Sequence, residues 1–251
     1  MLINIKALFL GFIQGATEFL PISSSGHLVL FQHLITFNLD PLLFDIFLHL
    51  GTLIAVLIFY RQDILKLVKN FKLVTYLVIA TIPAVIVGFT LNDFIKACFS
   101  NNLFIGCAYL FTASWLYLGQ QKLKKEKLTV NINWKIALGI GIAQAIAITP
   151  GISRSGATIV MGLLFKLERK EAAKFSFLLS IPAILGATVL ESLKISELNI
   201  PLSVLLLGLL AAAVTGYFAI KLLLKSLTTG KLIIFSVYCL VLGIIIISIF
   251  R

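Results

Sequence analysis

The sequence predicts an all-α integral membrane protein: six transmembrane helices plus two re-entrant helical hairpins, arranged as two inverted-topology repeats within a single membrane domain, 1–251. Three observations predict it. The 251 residues are 60% apolar and only 12% charged, whereas soluble domains carry about a quarter charged residues. Six uninterrupted apolar runs are long enough to cross a hydrocarbon core, which takes roughly 20 residues. Two further apolar stretches are broken in the middle, and they resemble each other.

The six runs lie near 43–60, 73–91, 103–119, 172–190, 201–220 and 232–250. The broken stretches centre on Pro21-Ile22-Ser23-Ser24-Ser25-Gly26-His27 and on Pro150-Gly151-Ile152-Ser153-Arg154-Ser155-Gly156. Their uninterrupted pieces, Ala7–Thr17 and Ala157–Phe165, are about half a membrane long. Such pieces suit re-entrant hairpins near 3–37 and 133–166, in which two short helices meet at a turn buried in protein, because lipid cannot satisfy the turn's backbone groups.

A constant offset of 130 residues carries Gly11 onto Gly141, Gln14 onto Gln144, Ile22 onto Ile152, Ser23 onto Ser153, Ser25 onto Ser155 and Gly26 onto Gly156, without a gap. The chain therefore reads as two copies of one unit, 1–120 and 121–251, each a hairpin followed by three crossings. Three crossings change sides of the membrane and a hairpin does not. The second unit must then enter from the opposite face, an arrangement that brings broken helices together near the midplane.

Charge gives the orientation. Of the 21 basic residues, sixteen, from Arg61 and Lys66 through Lys122, Lys124, Lys125 and Lys127 to Lys231, fall on one face; Lys6, Lys96, Lys194 and Arg251 fall on the other, and Arg154 belongs to neither. The rich face is expected to be cytoplasmic, which puts both termini outside. The net charge of +11 does not indicate nucleic acid, since the basic residues sit between apolar runs and build no soluble basic face. Cys98, Cys107 and Cys239 lack metal or disulfide spacing and are expected to pack. The first apolar run carries Glu18, ends in Pro21 and lacks a small-x-small site, so it reads as mature protein rather than a signal peptide.

A charge deep in a bilayer costs several kcal/mol. Glu18 and Arg154, one in each broken segment, therefore need a polar cavity or each other. As a bare ion pair they would lock the halves together. As parts of a site they have suitable neighbours. Ser23-Ser24-Ser25-Gly26 and Ser153-Arg154-Ser155-Gly156 each precede a short helix, where serines can cap and free N–H groups favour an anion. Arg154 adds a planar fork of donors that fits phosphate oxygens. Ser24 and His27 are three apart, so one helical turn can place a nucleophile beside a proton carrier. Gln14 and Glu18, spaced i, i+4, share a face that can hold a cation or orient the attacking group. His33 and His49 are expected as hydrogen-bonded packing groups.

Gln14 through His27 resembles an (E/Q)-x-x-x-E motif running into a serine-glycine-histidine segment. Pro150 through Thr158 resembles P-G-x-S-R-S-x-x-T. Both are similar to motifs of the undecaprenyl-diphosphate phosphatase, or bacitracin-resistance, family, in the expected order and with a span pattern that agrees over essentially the whole chain. The resemblance implies hydrolysis of undecaprenyl diphosphate to the monophosphate and inorganic phosphate, recycling the lipid carrier of peptidoglycan synthesis. It also implies a homodimer in the bacterial cytoplasmic membrane, a pocket open to the outer face, and dependence on a divalent cation, Mg2+ or Ca2+. Glu18, His27 and Arg154 would be the essential residues and Ser24 the nucleophile, with Ser23 its rival. Ser23, Ser25, Gly26, Ser153, Ser155, Gly156 and Thr158 would bind the substrate's phosphates, and Glu18 with Gln14 would face the cation. Many members carry glutamate where this chain has Gln14. Read from the residues alone, a lipid-phosphate flippase or secondary transporter with a midplane anion site fits nearly as well. An intramembrane serine protease would explain Ser24 with His27 but not Arg154.

Overall fold

A computed structural model describes residues 2–250 apart from 38, 40, 68, 126–129 and 194–199. Lys127, Lys194 and Arg251, counted above for orientation, lie outside the described residues, as do the side chains of Lys124 and Lys125. The helices are α1 (Leu2–Phe19), α2 (Ser24–Leu34), α3 (Pro41–Phe59), α4 (Arg61–Leu67), α5 (Phe71–Thr90), α6 (Asn92–Phe99), α7 (Asn102–Lys125), α8 (Trp134–Ile146), α9 (Arg154–Leu164), α10 (Arg169–Ser192), α11 (Leu202–Thr228) and α12 (Ile233–Phe250). Among the described residues the only extended pairing is a single bridge between Val130 and Leu167.

Six helices, α3, α5, α7, α10, α11 and α12, are long and apolar enough to cross a membrane, and they coincide with the six apolar runs. Their outward faces suit lipid. Ile82, Val85, Ile86 and Phe89 of α5, and Leu210, Val214 and Phe218 of α11, are all exposed on the isolated chain. Polar residues gather inside instead: Gln14, Glu18, His27, Thr52, Ser153, Ser155 and Ser176 are buried. This is a soluble protein's pattern reversed. The chain is a multi-pass integral membrane protein.

The broken segments become two helix pairs, α1–α2 and α8–α9. Helices α2 and α9 have 11 residues each, about 16 Å at 1.5 Å per residue, and α9 starts and ends 130 residues after α2. Helix α1 runs unbroken for 18 residues, from one residue before the start expected for the first hairpin to the break at Pro21. The boundary drawn between 120 and 121 falls inside α7, which continues to Lys125. Helices α4 and α6, short segments beside the spans, had no signal in the apolar pattern.

Helices of one half pack on helices of the other. Helix α1 lies along α11, α8 along α5, and α7 along α12. Small residues permit the close approach that membrane helices need in the absence of a hydrophobic driving force. A Cβ on Gly11 would collide with the carbonyl of Gly208, and one on Gly141 with the carbonyl of Ala80. These two glycines are related by the 130-residue offset seen in the sequence. Cys98 and Cys239 are buried, as expected of packing residues, but Cys107 is exposed, since it lies on the outward face of α7. His33 is exposed too, so it is not a packing group; it sits in the last turn of α2, beyond the packed face.

Candidate active site

The two breaks have local causes. Helix α1 stops at Phe19, two residues before Pro21, which supplies no N–H to a continuing helix. Helix α8 stops at Ile146, and the chain turns through Pro150 and Gly151, whose φ of +88° suits glycine. Ser153 then caps α9, its Oγ accepting from the Gly156 N–H at 3.1 Å. The equivalent Ser23 does not cap α2. It holds φ 66°, an uncommon conformation for a residue with a side chain that costs on the order of 1–3 kcal/mol.

Hydrogen bonds from three other residues hold Ser23 there. Its Oγ accepts from the Gly151 N–H at 3.1 Å, and its carbonyl accepts from Nδ1 of His27 at 2.7 Å and from the Tyr109 hydroxyl at 3.3 Å. Ser155 adds a bond from its Oγ to the Leu20 carbonyl at 3.2 Å. The two breaks therefore touch, and each satisfies polar groups the other leaves open.

Glu18 is the centre of the polar cluster. It lies in the last turn of α1 with its side chain 6% exposed. Arg154, at the start of α9, donates from Nη2 to Oε1 at 2.6 Å. Ser24, at the start of α2, donates from Oγ to Oε2 at 2.6 Å. Gln14, one turn earlier on α1, donates from Nε2 to the same oxygen at 3.1 Å. Both carboxylate oxygens are engaged, and a buried charge with this many donors is compensated. Arg154 is further steadied by Nη1 donating to the Ser176 carbonyl at 3.4 Å.

His27 does not join this cluster. Its buried ring turns toward α7 and α12, stacking on Tyr238 at 5.7 Å with planes 8° apart. The Ser23 carbonyl can only accept, so the ring proton is assigned to Nδ1. Nε2 then accepts from the Tyr238 hydroxyl at 2.6 Å, while the Tyr109 hydroxyl lies 2.8 Å from Nδ1. The expected Ser24–His27 pair is replaced: one turn of helix places the two residues on neighbouring rows, but Glu18 captures the serine and the Ser23 carbonyl captures the histidine.

The residues expected to hold phosphates line the same region. Ser153 Oγ lies 3.2 Å from Ser155 Oγ, and Ser23 Oγ lies 3.4 Å from Ser25 Oγ. Gly26 packs against Tyr109, whose hydroxyl would lie 2.6 Å from an added Cβ. At Gly156 a Cβ would meet Pro21 at 3.1 Å. Thr158 turns inward, donating to the Arg154 carbonyl at 2.8 Å and lying 2.6 Å from Ser176 Oγ.

A family model for bacitracin resistance protein BacA matches residues 7–245. The chain belongs to the BacA family. Among its curated relatives in that family, undecaprenyl-diphosphatase of Halothermothrix orenii is 44% identical over 96% of this chain and 96% of its own. Undecaprenyl-diphosphatase of Carboxydothermus hydrogenoformans is 42% identical, covering 96% and 95%. That of Methanosphaera stadtmanae is 40% identical, covering 98% and 97%.

Three residues around the cluster were not singled out from the sequence, Tyr109, Ser176 and Tyr238, and a fourth, His49, was expected only as a packing group. His49 does hydrogen-bond, as expected, but its partner is Gln14 of the cluster, with Nδ1 and Nε2 2.9 Å apart. Its Nδ1 is 3.7 Å from Glu18 Oε2. A histidine in the middle of a membrane run was a usable signal, because intramembrane ionisable groups are costly. Tyr109 and Tyr238 gave none.

Proposed function

We infer that this protein hydrolyses undecaprenyl diphosphate to undecaprenyl phosphate and inorganic phosphate, at the cluster where α1, α2 and α9 meet. The family and the names of its relatives support the reaction, and they favour an enzyme over a flippase or transporter. The observation that carries the site is that one carboxylate, Glu18, is bonded at once to a phosphate-fitting guanidinium and to a serine hydroxyl.

The geometry supports the following sequence of events. A diphosphate displaces Glu18 from Arg154, whose fork turns onto phosphate oxygens. Released from its cation, Glu18 is the stronger base for the Ser24 proton it already accepts at 2.6 Å. Ser24 Oγ attacks the terminal phosphorus while the bridging oxygen leaves with the lipid monophosphate, and water later cleaves the phosphoserine. The N–H groups at the starts of α2 and α9 add positive potential. Positioning and charge stabilisation supply most of the rate in phosphoryl transfer. His27 serves from behind, fixing the Ser23 carbonyl and with it the direction of Ser24.

The divalent cation that the resemblance implies finds no ready cage. Mg2+ or Ca2+ takes about six oxygen ligands, whereas Glu18 spends both oxygens on Arg154, Ser24 and Gln14. Gln14 turns its nitrogen to the cluster and leaves Oε1 buried without a partner. Among the described residues no three His, Cys, Asp or Glu side chains gather. We therefore assign neither Glu18 nor Gln14 as a ligand of a resident cation and propose that it arrives on the diphosphate.

The same proposal includes the architecture. Two inverted repeats, each opening with a re-entrant hairpin, are supported by the constant offset between α2 and α9 and by the exchange of partners in α1–α11 and α8–α5. Both termini outside, a site open to the outer face of the cytoplasmic membrane, and a homodimer complete it. Cysteine accessibility from each side of sealed cells tests the first two, and the mass of the detergent-solubilised particle tests the last. Phosphate release from undecaprenyl diphosphate by purified protein tests the reaction: wild type should release phosphate and Arg154→Ala should not. Equal release by both would remove this cluster from the mechanism.

A further inference from the structure

We propose that Thr112 of α7 is a positioning residue for the reaction: its hydroxyl holds the turn from Gly151 to Ser153 and thereby aims Arg154 at the phosphate. The inference rests on the hydrolytic reading of the site given above.

A threonine inside a helix ordinarily turns its hydroxyl back onto its own backbone. Thr17, Thr81 and Thr215 do so here, each donating to the carbonyl four residues earlier. Thr112 spends its hydroxyl on another segment. Its Oγ1 donates to the Gly151 carbonyl at 2.9 Å and accepts from the Ser153 N–H at 3.2 Å. Thr112 is 3% exposed, and Gly151 and Ser153 are buried too. The two turn groups therefore depend on this one hydroxyl rather than on bulk water.

Shape seats the turn on α7 as well. A Cβ on Gly151 would lie 2.7 Å from the Ala108 Cβ and 2.7 Å from the Ile105 carbonyl. Ile105, Ala108 and Thr112 recur at helical spacing and form one face of α7. Tyr109, beside them, donates to the Ser23 carbonyl, and Ser23 Oγ accepts from the Gly151 N–H at 3.1 Å. Gly151 is thus held at its N–H by the first break and at its carbonyl by α7, so one helix fixes the two breaks relative to each other.

The consequence for the reaction lies one residue further on. Arg154 follows Ser153 directly, so the turn sets the root from which its long side chain reaches. A planar fork engages phosphate oxygens only in one orientation, and a misplacement of about 1 Å can cost on the order of 10²-fold in rate. Without the Thr112 hydroxyl the Gly151 carbonyl and the Ser153 N–H must find new partners, and the turn shifts to reach them, carrying Arg154 along. The guanidinium counts most while charge moves during phosphoryl transfer. The loss should then fall on kcat.

The test compares phosphate release from undecaprenyl diphosphate by wild type, Thr112→Val, Thr112→Ser, Ser236→Ala and Arg154→Ala, well below the melting midpoint of each. Valine keeps the shape without the hydroxyl, and serine keeps the hydroxyl. Ser236→Ala deletes a buried bond to the adjacent Ala113 carbonyl of α7, 2.7 Å long, away from the turn, and should leave kcat unchanged. Thr112→Val should lose about tenfold or more in kcat with KM within about threefold, while Thr112→Ser stays within about threefold of wild type. The proposal is overturned if Thr112→Val matches wild type, if only its KM rises, if serine falls as far as valine, or if Ser236→Ala falls equally. Should valine prevent folding, Thr112→Cys, a weak donor of similar size, takes its place, and an unchanged kcat there also overturns the proposal. Arg154→Ala separates this from the reading beneath it: retained turnover would dismiss the site itself, whereas an inactive Arg154→Ala beside a fully active Thr112→Val would dismiss Thr112 alone.

Discussion

Arg154 and Glu18, 136 positions apart in the chain, meet at 2.6 Å with side chains 16% and 6% exposed. Each comes from a different break, so the pair both closes the contact between the halves and poises a carboxylate beside a serine.

That double duty separates by mutation. Arg154→Ala leaves Glu18 buried and uncompensated, which should cost about 3–5 kcal/mol of stability. Arg154→Ala with Glu18→Gln should recover most of the melting temperature in detergent and none of the turnover. Glu18→Gln alone should stay folded and lose turnover. A double variant that regained turnover would mean the pair is purely structural.

Ser24 and Ser23 should differ in kind. Ser24→Ala removes the hydroxyl on Glu18 and should lower kcat by about 10³-fold or more, as for loss of a nucleophile. Ser23→Ala removes the acceptor of the Gly151 N–H and should cost on the order of 1–3 kcal/mol in stability for the donor left buried, with a smaller kinetic loss. Rapid-quench detection of a phosphoserine, and its absence in Ser24→Ala but not Ser23→Ala, would fix the nucleophile. The reverse pattern would exchange the two assignments.

Tyr238→Phe deletes the hydroxyl on His27 Nε2 and keeps the stacked ring. If His27 acts by holding Ser23, the variant should retain turnover within about tenfold, while His27→Ala, which frees the Ser23 carbonyl, should fall much further. Equal collapse of both would give His27 and Tyr238 a direct part in proton transfer.

At Gly26 an added Cβ would lie 2.6 Å from the Tyr109 hydroxyl. Gly26→Ala should therefore destabilise by about 1–3 kcal/mol through overpacking. Tyr109→Phe in the same chain should restore part of it by removing the oxygen, as read by thermal unfolding. No recovery would mean that the backbone of α2, rather than this contact, demands glycine.

Much of this was legible in the chain because the membrane imposes local rules. Six apolar runs of sufficient length specify six crossings, a proline and glycines at the breaks specify interruption, and a buried charge in each break specifies that the breaks meet. Those conclusions need only composition, length and the cost of an unpaired charge. The short helices α4 and α6 escaped them, since neither is long or apolar enough to mark a crossing.

Which face each helix turns inward was decided only by packing. A span that is apolar all round carries little amphipathic signal, so nothing in the run 41–59 indicates that His49 looks at Gln14, or in 233–250 that Tyr238 covers His27. Those rotations are set where small residues such as Gly51 on α3 and Gly243 on α12 let backbones approach. The same packing decided that Ser24 answers to Glu18 rather than to His27, because the strained Ser23 backbone and its carbonyl divert the histidine by a hydrogen bond that spacing cannot reveal.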